Sequence, residues 1–225
     1  MNTLNLKAFG GLLFLLLVMA ALLFAPAGTL NYGLAWVFLA VFGGSGLAGT
    51  LYLMKHDRKL LERRMRAGPN AEKALAQKII QCITSIGFMA MLVIPAFDYR
   101  LHWSAMPGWM AALGDALVVL GFLTIFFVYR ENSFASATIE LAPDQKLIST
   151  GPYALVRHPM YFGALFLFIG IPVALGSWWG LLVLMVMTPA LIWRLLDEER
   201  FLADHLAGYS DYQTKVRFRL IPFVW

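Results

Sequence analysis

Charged residues are scarce in this sequence. Of its 225 residues, 14% are charged and 60% are hydrophobic, and the mean hydropathy is +0.70. A soluble domain has about 25% charged and about 45–50% apolar residues, so this composition excludes an ordinary soluble globule. Six spanning helices of about 20 residues would use roughly 120 residues and leave no room for a large soluble domain. The sequence therefore predicts a single integral membrane domain over residues 1–225.

Cysteine is almost absent as well. Cys82 is the only cysteine, which excludes an intramolecular disulfide and a cysteine-based zinc or iron–sulfur site. The histidines are scattered without metal-ligand spacing, at His56, His102, His158 and His205. We therefore expect no metal ion, and no nucleic acid as a partner.

Uninterrupted apolar runs predict six membrane helices. They are Ala8–Ala25, Tyr32–Met54, Ile79–Ala96, Trp109–Tyr129, Tyr161–Leu175 and Trp178–Leu196. The first run exceeds the apolar core of a usual signal peptide, so we expect an uncleaved helix, with cleavage near Ala25 as the alternative. The fifth run reaches only about 22 Å as a helix. The last two runs, joined at Gly176 and Ser177, are therefore expected to form a helical hairpin.

The charges that are present lie mostly on one side of these runs. Of the 18 Lys and Arg residues, only Arg100 falls in a segment on the other side. The positive-inside rule then predicts that both termini and the three long polar segments are cytoplasmic. The densest segment, Lys55–Lys78, is interpreted either as a short amphipathic helix on an anionic inner leaflet or as a solvated basic loop.

Residues 44–49 (GSGLAG) have the spacing of a dinucleotide-binding loop. That spacing binds pyrophosphate only between a strand and a helix, with an acid about 20 residues later, and this context is missing. The segment lies inside an apolar run, where small residues such as Ser45 and Gly49 let helices approach closely. The fold is therefore predicted to be an all-α polytopic membrane helix bundle with no Rossmann sheet.

The residues suited to chemistry are concentrated in Leu147–Trp225. Pro159 keeps His158 out of helical geometry and suits the first position of a helix, so the fifth membrane helix is expected to begin there. The free amide groups of that helix start, with Arg157 and His158 beside them, would form an anion site.

Arg194 and Glu198 are four residues apart on the sixth run and project from one helical face. In a tight hairpin, this face and the anion site would share one pocket, which suits a zwitterionic ligand beside an apolar opening for a lipid. The alternative is structural. Arg194 and Glu198 would then form an exposed ion pair contributing under about 1 kcal/mol, and Arg157 and His158 would be interfacial anchors.

Four motifs mark this segment: residues 151–153 (GPY), residues 157–163 (RHPMYFG), the acids 197–199 (DEE), and an ending with Tyr209, Tyr212 and residues 219–222 (RLIP). In combination they closely resemble the isoprenylcysteine carboxyl methyltransferase family, which includes related phospholipid N-methyltransferases. The resemblance covers residues 147–225. It implies an integral membrane enzyme that binds S-adenosylmethionine in this region, in a fold of packed membrane helices.

Carried over position by position, the resemblance and the predicted anion site assign the cofactor pocket to Leu147, Ile148, Tyr153, Arg157, His158, Pro159, Met160 and Tyr161. Glu198 would meet the cofactor from the other side, and Arg194 would contact the substrate. These two residues are the predicted catalytic residues.

For two of the contacts that the resemblance implies, more than one residue is a candidate. The spacing from the acids to the tail tyrosines is one residue shorter than the commoner pattern, so Asp197, Glu198 and Glu199 all remain candidates for the cofactor contact. An upstream polar contact falls on Thr138 or on Glu140.

The resemblance implies methyl transfer to a lipophilic or small hydrophobic acceptor, through a carboxylate, thiol or amine, at the cytoplasmic membrane face, with membrane lipids as partners. One alternative is an NADPH-dependent, sterol-reductase-like oxidoreductase, since those enzymes share the Arg-His-Pro motif but are typically longer. The other is a non-enzymatic scaffold or transporter subunit, which gives no reason for the polar residues around Pro159 and Arg194.

Overall fold

The computed structural model describes residues 3–72, 74–142 and 144–225. Across these residues the regular structure is helical and contains no strand. The α-helices are α1 (Thr3–Ala27), α2 (Gly33–His56), α3 (Arg58–Met65), α4 (Leu75–Leu101), α5 (Gly108–Glu131), α6 (Pro159–Ala174), α7 (Trp179–His205) and α8 (Tyr209–Lys215). Two short 3-10 turns, Pro69–Ala71 and Gly151–Ala154, lie in the long loops. The prediction of an all-α fold without a Rossmann sheet is confirmed.

Each predicted apolar run forms the body of one helix. Helices α1, α2, α4, α5 and α7 have 24 to 27 residues and are apolar enough to cross a membrane. Helix α6 has 16 residues, which gives it a length of about 24 Å. The chain is therefore a multi-pass membrane protein. Helix α1 contributes Met19 and Leu23 to the buried core.

The predicted hairpin is formed by α6 and α7. Gly176 turns the chain with a φ of +75°, a conformation that glycine adopts without steric cost. The Ser177 amide donates to the Pro172 carbonyl at 2.9 Å and closes the turn. The beginning of α6 therefore lies beside the far end of α7, and residues distant in sequence meet there.

The loops at this turn belong to one end of the bundle, here called the closed end (residues 28–32, 102–107 and 175–178). The Tyr32 hydroxyl donates to the Leu175 carbonyl at 2.6 Å. The buried Asp98 carboxylate accepts hydrogen bonds from the Ser104 amide and hydroxyl, each at 2.6 Å, and from the Ser177 hydroxyl. These bonds satisfy the polar groups of α4 and of the hairpin turn at this end.

The long polar segments lie together at the opposite end, here called the site end (residues 57–72, 74, 132–142, 144–158 and 206–225). The basic segment forms the short helix α3, which packs through Leu60 and Leu61 against the bundle. Arg63 donates to the Ser133 carbonyl at 2.7 Å and Arg64 donates to the Ser136 carbonyl at 3.1 Å. Part of the basic segment is thus helical, in α3, and its arginines bind the loop after α5, while contact with an inner leaflet stays a prediction.

The closest helix packing occurs between α5 and α6. A Cβ atom built on Gly114 would lie 2.1 Å from the Ala174 backbone nitrogen, and one on Gly170 would lie 2.8 Å from the Gly114 carbonyl oxygen. In the segment 44–49, by contrast, Gly49 has no neighbour within 4 Å of such an atom. Glycines therefore do allow helices to approach closely, as at Gly114 of α5 and Gly170 of α6, but Gly49 is not one of them.

We expect Gly114→Ala to destabilise the protein by about 1–3 kcal/mol, because the added methyl group meets backbone that has no alternative rotamer. Gly49→Ala is the matched control in a membrane helix, and its melting temperature should equal or exceed that of the wild type, since alanine favours helix over glycine. Thermal unfolding of both purified variants in detergent measures the difference. Equal melting temperatures would contradict the close α5–α6 packing.

Candidate active site

A cavity of about 400 Å³ opens at the site end between α4, α6, α7 and the loop after α5. Small-molecule pockets have volumes of about 300–1,000 Å³. The predicted site residues that line the cavity are Leu147, Ile148, Tyr153, Arg157, His158, Pro159, Met160, Tyr161, Arg194 and Glu198. Both candidates for the upstream contact, Thr138 and Glu140, line it too. The fold thus brings two separate parts of the sequence to one cavity.

Helix α6 starts on the wall of this cavity. His158 has non-helical backbone angles (φ −122°, ψ 63°), and Pro159 occupies the first helical turn, as predicted. The amide of Phe162 makes the first intrahelical bond, to the His158 carbonyl at 3.1 Å. The amides of Met160 and Tyr161 precede it and have no acceptor within the helix. This helix start can therefore bind an anionic group of a ligand.

Glu199 lies behind the helix start and joins three parts of the chain. Its Oε1 atom accepts from Arg157 Nε at 2.7 Å and lies 3.3 Å from His158 Nε2, while its Oε2 atom accepts from Arg219 Nε at 2.9 Å. The Arg157 and His158 amides donate to the Phe218 and Arg219 carbonyls, both at 2.9 Å. The loop before α6, helix α7 and the C-terminal segment are fixed to one another here.

Two of the predicted cofactor contacts, Arg157 and Glu199, bind each other. Glu199 is 5% exposed and is not among the residues that line the cavity, so its position does not favour a contact with a ligand. Arg157 lines the cavity, while its Nε donates to Glu199 and its Nη1 donates to the Val216 carbonyl at 2.9 Å. A cofactor contact of Arg157 stays a prediction. The burial of Arg157 excludes its interpretation as an interfacial anchor.

Of the three consecutive acids at positions 197–199 of α7, Glu198 lines the cavity. Its Oε2 atom accepts a hydrogen bond from the Tyr161 hydroxyl at 2.7 Å. Within the described part of the chain, no Lys, Arg or His forms an ion pair with it. Asp197 instead accepts from the Gln77 side-chain amide. Glu198 is therefore the acid whose position fits a contact with a ligand.

Arg194 is buried beside the cavity and does not form the exposed ion pair with Glu198 of the structural alternative. Its Nη2 donates to Glu72 Oε1 at 2.8 Å and to the Ala137 carbonyl at 3.0 Å. Its Nη1 donates to Gln77 Oε1 at 2.7 Å. The guanidinium is thus held on several sides by the polar segment before α4 and the loop after α5.

Sequence analysis missed the supporting residues Glu72, Gln77 and Arg219. Glu72 is 4% exposed and Gln77 is 2% exposed, although both precede the apolar run of α4 in a segment dominated by positive charge. An acid and an amide just before a membrane helix were the only signal of an inward-facing partner for Arg194. Arg219 belongs to the C-terminal motif, for which the sequence indicates no physical role. The structure shows that Arg219 donates to Glu199.

Three tyrosines outside the membrane helices complete the wall. Burial raises the pKa of the Tyr153 phenol to about 12, despite the hydrogen bond that it accepts from Asn132. Burial also raises the pKa values of Tyr209 and Tyr212, with Glu199 near Tyr209 and Tyr153 near Tyr212 adding to the effect. All three phenols therefore remain protonated at neutral pH. Tyr212 donates to the Tyr153 carbonyl at 2.7 Å and fixes the loop before α6.

A family model described as phospholipid methyltransferase matches residues 109–208. The matched segment is a little under half of the chain, and it resembles the phospholipid methyltransferase family. The match confirms the family-level resemblance, and that family implies a methyl donor of the S-adenosylmethionine type. The matched segment includes helix α6 and all of α7, with Pro159, Arg194 and Glu198. A search of curated proteins finds no match.

We predict that the neighbouring glutamates of α7 respond differently to substitution. Glu199→Ala should lower stability by about 3–5 kcal/mol, because it leaves buried cations without their shared carboxylate. Glu198→Ala, which breaks one bond to Tyr161, should change stability far less. Thermal unfolding in detergent compares the two variants. A melting temperature for Glu199→Ala equal to that of Glu198→Ala would contradict the structural role of Glu199.

Proposed function

We propose that this membrane methyltransferase transfers a methyl group from S-adenosylmethionine to a lipophilic or small hydrophobic acceptor at the cytoplasmic membrane face. The observation that carries the proposal is the single cavity in which the start of α6, the Glu198 carboxylate and the Arg194 guanidinium meet. This cavity lies within the segment that matches the family.

The residues around the cavity fit this cofactor. S-adenosylmethionine carries an α-carboxylate, an α-ammonium group and a sulfonium. The free amides of Met160 and Tyr161 are suited to the carboxylate, because backbone donors and the helix dipole both favour a negative group there. Glu198, which has no cationic partner among the described residues, is suited to a cationic or hydroxyl group. The side chains of His158 and Tyr161, on either side of Pro159 and Met160 in the sequence, line the same cavity.

When bound, the cofactor supplies an electrophilic methyl group for in-line displacement. The task of the chain is to hold the acceptor in line and to exclude water, and proximity of this kind lowers a barrier by up to about 7–11 kcal/mol. Tyr161 links α6 to α7 through Glu198 and keeps the two walls in register. Arg194 presents fixed hydrogen-bond donors that orient the polar group of the acceptor.

The proton requirement depends on the acceptor. A carboxylate acceptor needs no base, because it is already deprotonated at neutral pH. An amine or thiol must lose a proton, and Glu198 is the proposed base because it lines the cavity and, among the described residues, accepts a single side-chain hydrogen bond, from Tyr161.

An apolar groove supports a lipophilic acceptor. It has a volume of about 970 Å³ and lies between α4 and α7, with Ile86, Ala90 and Val186 among its walls. Nearer the site end, the same two helices line the cavity through Thr84 and Leu191. Helices α4 and α7 thus offer an apolar surface that runs from membrane depth towards the cavity.

The proposed cytoplasmic orientation follows from charge. All Lys and Arg residues except Arg100 lie towards the site end or in the segments that lead to it. The closed end contributes Arg100 and otherwise joins neutral groups and the buried Asp98. By the positive-inside rule, this asymmetry supports a position of the cavity at the cytoplasmic surface.

Binding of S-adenosylhomocysteine tests the proposed function. We expect saturable binding by calorimetry to the detergent-purified protein, and no binding of NADPH. His158→Ala and Glu198→Ala should abolish S-adenosylhomocysteine binding, whereas Glu62→Ala, on the exposed face of α3, should not change it. Binding of NADPH alone would favour the reductase alternative, and binding of neither compound would favour a scaffold.

Cysteine labelling in intact cells tests the orientation. In a Cys82→Ser background, we expect Asn31→Cys at the closed end to react with a membrane-impermeant maleimide and Asp204→Cys at the site end to react only after permeabilisation. Both side chains are exposed, so access is decided by the membrane. The opposite labelling pattern would place the cavity on the outer face.

A further inference from the structure

The guanidinium of Arg194 does not carry an uncompensated positive charge. Glu72 lies 2.8 Å from it, and the side chains of the pair are 1% and 10% exposed for Glu72 and Arg194 respectively. A carboxylate this close and this sheltered from water cancels most of the field that the cation would exert in the cavity. An acceptor group that approaches Arg194 meets an ion pair.

The pair is fixed in position by other contacts. The second carboxylate oxygen of Glu72 accepts from the Ile139 amide at 3.4 Å. Gln77 bonds the guanidinium with its oxygen and donates with its nitrogen to Asp197 on the same helix as Arg194. These contacts hold Arg194 in one orientation.

The remaining donors of Arg194 are directional. A guanidinium has five N–H groups, and the bonds to Glu72, Gln77 and the Ala137 carbonyl use three of them. The remaining Nε–H and one Nη1–H make no hydrogen bond of normal geometry to the described residues, and Tyr161 is their neighbour on the cavity wall. Because the net charge is cancelled, these donors recognise the position of an oxygen rather than a negative charge.

The other charged groups on the cavity wall do not restore a positive field at this position. Glu198 contributes a carboxylate with no cationic partner in the described chain. Arg157 is paired with Glu199. Arg64 keeps its charge but is directed to the Ser136 carbonyl and the Tyr129 ring, and Lys146 is exposed to solvent, which screens its charge.

We propose that Glu72 is a positioning and specificity-determining residue: it orients Arg194 and cancels its charge, so that the site accepts an acceptor headgroup that is neutral or zwitterionic and disfavours one that is a net anion. This inference rests on the proposed function, in which Arg194 contacts the acceptor. The inference favours an amine or thiol acceptor over a free carboxylate. A carboxylate would gain little binding energy from Arg194, because Glu72 already neutralises the charge of this arginine.

Two single-chain probes test the inference, since decanoate and decanamide differ in the charge of the headgroup. Each is titrated at pH 8 into purified protein, with and without saturating S-adenosylhomocysteine, and calorimetry gives both dissociation constants. The wild type should bind decanamide at least as tightly as decanoate, at low and at moderate salt. Tighter binding of decanoate by tenfold or more would overturn the inference without any variant.

Glu72→Gln removes the charge but keeps an oxygen that can accept from Arg194. The Glu72→Gln variant should bind decanoate, relative to decanamide, about tenfold more tightly than the wild type does. Added salt should reduce this increase in relative affinity, because it screens the charge of Arg194. Glu62→Gln makes the same change in net charge on the exposed face of α3 and should leave the ratio unchanged. A ratio for Glu72→Gln within twofold of the wild-type ratio would refute the role of Glu72.

The outcome is separable from that of the proposed function. If S-adenosylhomocysteine fails to bind, the methyl-transfer proposal fails, and the probe ratio in its absence still reports on Glu72. If S-adenosylhomocysteine binds and the ratio does not move, the cofactor site stands and the assignment of Glu72 falls. A loss of overall stability alone would weaken both probes equally and would not change their ratio.

Discussion

The candidate site depends on the contacts that the buried Glu199 carboxylate makes with the cationic side chains around it. Two guanidinium groups and an imidazole converge on it from the loop before α6 and from the C-terminal segment. A buried carboxylate is tolerated only when such partners compensate for lost hydration. Its partners are therefore fixed in turn, and with them the start of α6 at Pro159. The amides at that helix start, which have no acceptor within the helix, are held in place by a residue that does not line the cavity.

The division of roles between Glu198 and Glu199 follows from helix geometry. Successive residues of an α-helix are separated by about 100° around its axis, so adjacent side chains face different surroundings. On α7, Glu198 faces the cavity and Tyr161, whereas Glu199 faces the cations behind it. A chemically uniform acidic stretch thus provides one residue for a ligand and one for the scaffold.

Helical periodicity and hydropathy were sufficient for much of the fold. Every apolar run forms the body of a helix, the hairpin turns at Gly176, and Pro159 begins α6, because each feature is set by local backbone chemistry. The grouping of Arg194 and Glu198 on one wall was also predictable from their spacing. The choice among the three acids was not, since it depends on the rotation of α7 relative to α6, which is fixed by long-range packing.

The partner of Arg194 was unpredictable for a related reason. Glu72 lies 122 residues away in sequence, in a segment whose positive charge indicates only which side of the membrane it occupies. An arginine buried at the end of a membrane helix requires a hydrogen-bond acceptor, but any polar loop at that end could supply one. The path of the chain from α3 into α4 selects Glu72, because it brings Glu72 inward while the arginines of α3 bind the loop after α5. The same loops that satisfy the positive-inside rule therefore also set the electrostatics of the cavity, and the net charge of the segment predicts the membrane side but not the field at Arg194.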